Sequence, residues 1–141
     1  NVMEPSRAWI VPLARQSIVT NGVLHALRIV GAGRAYQGLH AKGLGQSDEP
    51  RKISYSFKAK GKGRVTVSFY RYHDTPDFKA PHRYRRDCRP SEQASVHAVS
   101  AAEATCRGEY TIRSGEWASI VLSGDKDGDV TIDDVSVCPV K

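Results

Sequence analysis

Two neighbouring segments alternate apolar and polar residues with the period of two that is typical of half-buried β-strands. The apolar positions are Ile53, Tyr55, Phe57, Ala59, Val65, Val67 and Phe69. The intervening Gly61-Lys62-Gly63 is a turn signal. The two segments therefore predict a β-hairpin with one buried face and one open face, and the open face carries Tyr70 and Tyr72.

Further segments predict more strands of the same kind. They cover residues 23–30, 35–41, 110–113, 117–122 and 128–137, with glycine-rich or polar turns between them. Because no amphipathic helix accompanies them, the sequence predicts an all-β fold, a two-sheet antiparallel β-sandwich (jelly roll) formed by residues 1–141 as a single domain. The predicted core comprises Leu27, Ile29, Tyr55, Phe57, Val65, Val67, Phe69, Ile120, Leu122 and Ile132.

Residues 73–108 interrupt this pattern with three prolines and a basic cluster at residues 79–89. We expect a largely irregular segment that contains a short strand at 95–99 and a helical turn at 101–104. Cys88 and Cys106 bracket the segment, so a disulfide between them is the favoured pairing, since it would most restrict the unfolded chain. With Cys138 as a third cysteine, three free thiols are the alternative.

The net charge of +6 and the pI near 9.4 favour an anionic partner, with a solvated basic surface as the alternative. Nucleic acid is not expected as a partner, because no nucleic-acid-binding motif accompanies the charge. No apolar run approaches the roughly 18 residues that cross a bilayer, so no membrane association is expected. The chain begins at Asn1 without a signal-peptide pattern, which suggests a processed or excised module, expected to be monomeric.

The predicted closing strand, residues 128–137, contains the adjacent acids Asp133 and Asp134. Such a pair is costly inside a strand unless it is partly exposed or meets a cation or backbone donors. The preceding Asp125–Asp129 segment has acids at alternate positions, but it lacks the glycine and glutamate of an EF-hand loop. A hairpin turn is the better interpretation of that segment.

The sequence Ile132-Asp133-Asp134-Val135-Ser136-Val137, together with the alternating segments 54–61 and 65–70, resembles the β-sandwich (jelly-roll, galactose-binding-like) carbohydrate-binding modules. The resemblance implies a structural calcium ion between an early glutamate, here Glu4, and Asp133 or Asp134. It departs from the family pattern at Met3, where a phenylalanine is common, and at Lys58, where an aromatic residue is common. It also implies a secreted or cell-surface module attached to a catalytic domain.

The open strand face with Tyr70 and Tyr72 suits a sugar ring, because sugar C–H groups pack on aromatic rings. Arg28 and Lys58 would supply polar donors. In the basic cluster, arginines such as Arg83 and Arg85 suit sulfate or carboxylate groups through their planar forks. The alternative is that the tyrosines only cover the other sheet.

Trp9 and Trp117 are expected to be core or loop anchors. For catalysis, His73-Asp74 lacks a nucleophile motif and no pair of facing carboxyl groups is evident, so no enzymatic activity is expected. The leading hypothesis is a non-catalytic module that targets an attached enzyme to a polysaccharide or oligosaccharide, with an anionic, sulfated or uronate-rich polymer as a candidate. A structural spacer or protein-interaction domain is the second hypothesis, and a small glycan-active enzyme is the third.

Overall fold

The computed structural model describes residues 16–21, 24–39, 43–77 and 80–140, and it describes side chains from Ala26 onward except at 40–42 and 77–83. All regular elements in this part of the chain are β-strands, which confirms the all-β prediction. The strands are β1 (Gln16–Asn21), β2 (Leu24–Val30), β3 (Arg34–Gly38), β4 (Arg51–Asp77), β5 (Ala80–Val99), β6 (Ala104–Ile112), β7 (Trp117–Gly124) and β8 (Asp129–Pro139).

The strands form two antiparallel layers. Sheet 1 has the order β1-β2-β8-β4-β6, and sheet 2 has the order β3-β7-β4-β5. The 27-residue strand β4 belongs to both layers. The predicted two-sheet antiparallel sandwich is therefore confirmed, and β1, which pairs with β2, is a strand that the sequence analysis missed.

The predicted hairpin turn at residues 61–63 is wrong, because β4 continues through it. Up to Lys62 the strand pairs with β6 and β8, and from Gly63 it pairs with β5 and β7. Gly61 and Gly63 have φ angles of 133° and 102°, and a Cβ atom on Gly61 would overlap the carbonyl oxygen of Asp129. The glycines thus let one strand bend from one sheet into the other.

The predicted irregular segment at 73–108 is also wrong, including its helical turn, whereas the short strand expected at 95–99 lies within β5. The end of β4 and the start of β5 form an antiparallel ribbon that passes the end of β7, which pairs with β4 only as far as Tyr72. In the described part of the chain β5 pairs with β4 alone, so Pro81 and Pro90 lie on an edge strand, where proline is tolerated. Pro90 also falls where the β4–β5 register shifts.

The core prediction is confirmed: all ten residues are buried, with at most 2% of each exposed. The predicted disulfide is wrong, since the three cysteines are free. Cys88 is exposed on β5 in sheet 2, whereas Cys106 is buried on β6 in sheet 1. In the described part of the chain, no helix is long and apolar enough to cross a membrane.

Candidate functional site

The outer face of sheet 2 gathers four aromatic side chains. Because Val65, Val67 and Phe69 point into the core, the even-numbered residues of β4 point outward. Tyr72 is opposite Trp117 on β7, and Tyr36 on β3 lies beside the same strand, opposite Val121. We call the set Tyr36, Tyr70, Tyr72 and Trp117 the aromatic face.

The four rings form two contacting pairs. The ring centroids of Tyr72 and Trp117 are 4.4 Å apart with the planes tilted by 33°. Those of Tyr36 and Tyr70 are 5.6 Å apart in an edge-to-face arrangement. Tyr70 and Tyr72 are two residues apart on one strand, which places their Cα atoms roughly 6.6 Å apart. The two pairs therefore form one continuous surface along the strands.

Arg86 covers one end of the aromatic face. Its guanidinium carbon lies 4.7 Å from the Trp117 ring centroid and 5.6 Å from that of Tyr72. Asp74 holds it there, accepting hydrogen bonds from Arg86 Nε at 2.9 Å and from Trp117 Nε1 at 2.9 Å. This cation–π arrangement leaves Trp117 only 5% exposed, so a ligand at this end would meet the arginine first.

The other end of the aromatic face has a second arginine, and the Tyr72 phenol at the Arg86 end is neutral. The guanidinium of Arg34 lies 5.7 Å from the Tyr70 ring centroid. Burial raises the pKa of Tyr72, and a hydrogen bond with Ser119 partly offsets that rise. Tyr72 is therefore a neutral donor and acceptor at physiological pH. The face combines flat apolar rings with arginine and hydroxyl groups at their edges.

The open-face position that the sequence predicted for Tyr70 and Tyr72 is the one found, and neither tyrosine covers the other sheet. The predicted arginines are placed differently. Arg85 is exposed on the ribbon, alternates with Arg86 and lies on the opposite side from the tyrosines. The side chain of Arg83 lies outside the described residues.

The other predicted ligand residues, Arg28 and Lys58, lie on sheet 1 and are not brought to the tyrosines. Each is ion-paired with an aspartate of β8, at 2.6 Å for Arg28 and 3.0 Å for Lys58. The partner of Lys58 is Asp134, and Asp133 Oδ1 accepts a hydrogen bond from the Asp134 backbone N–H.

This arrangement bears on the predicted calcium site. Within the described residues, no group of three acidic, histidine or cysteine side chains could hold a metal ion. Lys58 Nζ lies 3.0 Å from Asp134 Oδ2, so this carboxylate has a cationic partner within the described residues. Glu4 and Trp9 lie outside the described residues, and the calcium site stays a prediction.

The sequence analysis missed Tyr36, Arg34 and the outward position of Trp117. It included Arg86 in the basic cluster but did not predict its position over the rings of Trp117 and Tyr72. Tyr36 and Trp117 did fall within predicted strands, but their meeting with Tyr70 and Tyr72 depends on the register between β3, β7 and β4. His73 and Asp74 do not pair: His73 Nδ1 contacts the carbonyl of Gly115 at 2.7 Å, whereas Asp74 faces Arg86.

A comparison of the sequence with protein-family models and with curated proteins finds no match. Solved structures with the same fold include the CBM22-1 xylan-binding domain from Paenibacillus barcinonensis Xyn10C, with a TM-score of 0.57 and 13% identity over 99% of this chain and 90% of that one. Another is the CBM22-1-GH10 modules of Clostridium thermocellum endo-1,4-beta-D-xylanase 10B complexed with xylohexaose, with a TM-score of 0.62 and 14% identity over 95% of this chain and 26% of that one.

A third is a variant of CBM29-2 complexed with cellulohexaose, with a TM-score of 0.57 and 11% identity over 94% of this chain and 81% of that one. At such low identity the likeness concerns the fold. The sandwich fold that the sequence resemblance implied is thereby confirmed.

Proposed function

From the fold that this chain shares with β-sandwich carbohydrate-binding modules, we propose that it is a non-catalytic module that binds a polysaccharide along the aromatic face. The observation that carries the proposal is the convergence of Tyr36, Tyr70, Tyr72 and Trp117 on the outer side of one sheet. Solved structures of the same fold include a xylan-binding domain and complexes with xylohexaose and cellulohexaose.

The shape of the face suits an extended chain. Outward-pointing residues of β4 from Thr66 to Asp74 span about 27 Å at roughly 3.4 Å per residue. The rings provide apolar contact to the C–H surfaces of successive sugars, and the half-buried Ser68 of β4 supplies a hydroxyl group beside them. A linear polysaccharide can lie along such a surface without a closed pocket.

An acidic polysaccharide is the favoured variant of this ligand. Arg34 and Arg86 both lie over rings of the aromatic face, and the whole chain carries a net charge of +6. A planar guanidinium binds a carboxylate or sulfate through two parallel hydrogen bonds. Arg86 would form these bonds by exchanging Asp74 for an acidic group of the polymer.

The biological setting follows from the same comparison. One solved structure of this fold joins such a module to a GH10 module in a xylanase. By analogy we propose that this chain is secreted or displayed at the cell surface and holds an attached catalytic domain on its polymer.

Retention in native affinity gels containing xylan, mannan, a soluble cellulose derivative or an acidic polysaccharide tests the proposal. We expect Tyr70→Ala to abolish retention at every salt concentration, because ring packing is not screened. Arg86→Ala should weaken retention by the acidic polymer mainly at low salt, since exposed charges are screened beyond roughly 8 to 10 Å near physiological ionic strength. Because Asp74 and Trp117 contact Arg86, thermal unfolding should confirm that this variant is folded.

Arg28→Ala is the matched control, because it removes an arginine from sheet 1 and should leave retention unchanged. Loss of retention in the control would contradict the placement of the site and favour the sequence-based assignment of Arg28. If no polymer retains the parent chain, the alternative of a spacer or protein-interaction domain replaces the proposal.

A further inference from the structure

The outer face of sheet 1 contains a separate groove. Antiparallel pairing places Ser54 opposite Glu109 and Ser56 opposite Arg107 and Ser136. These side chains line a cavity of about 430 Å³, together with Tyr55 and Gly108. That volume is within the usual range of small-molecule sites. The groove is on the opposite side of the sandwich from the aromatic face.

The floor and the ends of the groove differ in chemistry. Three serines, Ser54, Ser56 and Ser136, form the floor, so it is shallowly recessed between longer side chains. Along β4 the floor is bounded by two lysines, Lys52 and Lys58, each ion-paired with a carboxylate of a neighbouring strand. Lys52 and Lys58 are six residues apart, which corresponds to about 20 Å along the strand.

Arg107 is the cation of the groove lining that has no paired carboxylate in the described part of the chain. Lys52 pairs with Glu109 at 2.8 Å and Lys58 pairs with Asp134 at 3.0 Å, and the carboxylates of Asp133 and Glu103 also act on Lys58. Arg107 projects beside Ser56 and has no carboxylate partner among the described residues. Its planar guanidinium is therefore complementary to one carboxylate of a ligand.

The backbone next to the groove departs from regular strand pairing. A register shift between β4 and β8 follows Ser56, and Asp134 has a φ of 51°, which is rare for a residue other than glycine. β-Bulges of this kind redirect side chains. Here the irregularity accompanies the pairing of Asp134 with Lys58, and that pairing leaves Arg107 as the unpaired cation of the groove.

We propose that this groove is a second binding site, and that it takes a single uronate sugar, either at a chain end or as a branch of a polysaccharide. The carboxylate would pair with the Arg107 fork, and the ring hydroxyls would exchange hydrogen bonds with Ser54, Ser56 and Ser136. Serine hydroxyls both donate and accept, as a polyol requires. Tyr55, the aromatic residue of the lining, is only 2% exposed and its hydroxyl contacts Ser95 on the other sheet, so the groove favours polar recognition rather than stacking.

Two ligands that differ in one group provide the sharpest test. Methyl β-glucuronide and methyl β-glucoside differ only in the carboxylate, and acetate provides the carboxylate without the sugar. Titration followed by amide chemical shifts should show saturable binding of the glucuronide, with shifts confined to β6, β8 and residues 51–60. The glucoside and acetate should each bind at least tenfold more weakly.

Variants then assign the binding to the groove. Arg107→Ala should weaken glucuronide binding about tenfold to hundredfold, the range for losing a hydrogen-bonded charge. Arg107→Lys should recover only part of the affinity, because an ammonium lacks the planar fork. Ser56→Val, which fills the floor with a strand-favouring residue, should also abolish binding, and unchanged thermal unfolding would show that these variants are folded.

Two controls separate this site from the aromatic face. Arg28→Ala lies on the same sheet outside the groove, and the double variant Tyr36→Ala/Tyr70→Ala removes the aromatic face. Both should bind the glucuronide with the affinity of the parent chain, even if polymer retention is lost. Unchanged affinity in Arg107→Ala, binding of acetate as tightly as of the glucuronide, or no saturable binding by the parent chain would each overturn the second site.

Discussion

The substitution Gly108→Ala tests how closely the two sheets pack behind the groove. A Cβ atom on Gly108 would overlap the phenol oxygen and Cζ of Tyr55, and would lie 3.0 Å from Cε1. Tyr55 is only 2% exposed, and its hydroxyl is 2.6 Å from Ser95 Oγ on the other sheet. The ring therefore has no open space into which it can move.

The expected magnitude combines three terms. Overpacking of a dense core costs about 1 to 3 kcal/mol, and breaking the Tyr55–Ser95 hydrogen bond costs about 1 kcal/mol. Replacing glycine with alanine in a strand returns about 0.4 to 1 kcal/mol, because Gly108 does not have the positive φ that favours glycine. The free energy of unfolding should thus fall by roughly 1 to 3.5 kcal/mol.

Urea unfolding followed by fluorescence measures this change directly. The matched control is the same substitution in a Tyr55→Val background, where the clashing ring is absent and the alanine should be neutral or slightly stabilising. A double-mutant cycle therefore predicts strong non-additivity. Equal destabilisation by Gly108→Ala in both backgrounds would refute the steric reasoning.

Two further predictions concern protons and metal. Burial lowers the pKa of His97 in the folded protein, so between that pKa and the usual value near 6.5 the unfolded chain binds more protons than the folded chain. The free energy of unfolding should therefore fall as the pH drops from 7.5 to 5. Urea unfolding should show a smaller fall in His97→Gln than in the parent chain. If calcium joins Glu4 to Asp133 or Asp134, chelation should lower the melting temperature; an unchanged melt, with no metal in the purified protein, would contradict the site.

Local alternation was sufficient to predict the core and the open face. Apolar residues at odd positions from Ile53 to Phe69 point inward, and the residues between them point outward. The same pattern contains a second signal. The odd parity is unchanged across Gly61-Lys62-Gly63, as expected for one strand that bends while keeping the same side toward the core. The two glycines alone do not distinguish a turn from a bend, because glycine is common at both.

The ribbon and the site could not be predicted in the same way. Prolines in residues 73–108 argue against a strand unless it is an edge strand, and edge position is a property of the whole sheet. Likewise, the contact between Trp117 and Tyr72, which are 45 positions apart in the sequence, depends on how β4 and β7 pair. The sequence indicated which residues face outward, but the partners across each sheet follow from long-range register.

The continuity of β4 also explains why the two outer faces differ in chemistry. A strand that bends between facing sheets presents one set of alternate positions to the core and the other set to solvent on both sheets. The outward set includes Ser54 and Ser56 on sheet 1 and Tyr70 and Tyr72 on sheet 2. Small residues at the first positions leave room for a recessed polar groove, whereas rings at the later positions form a raised apolar surface. The two proposed ligand types, a single charged sugar and an extended chain, therefore correspond to the two halves of a single strand.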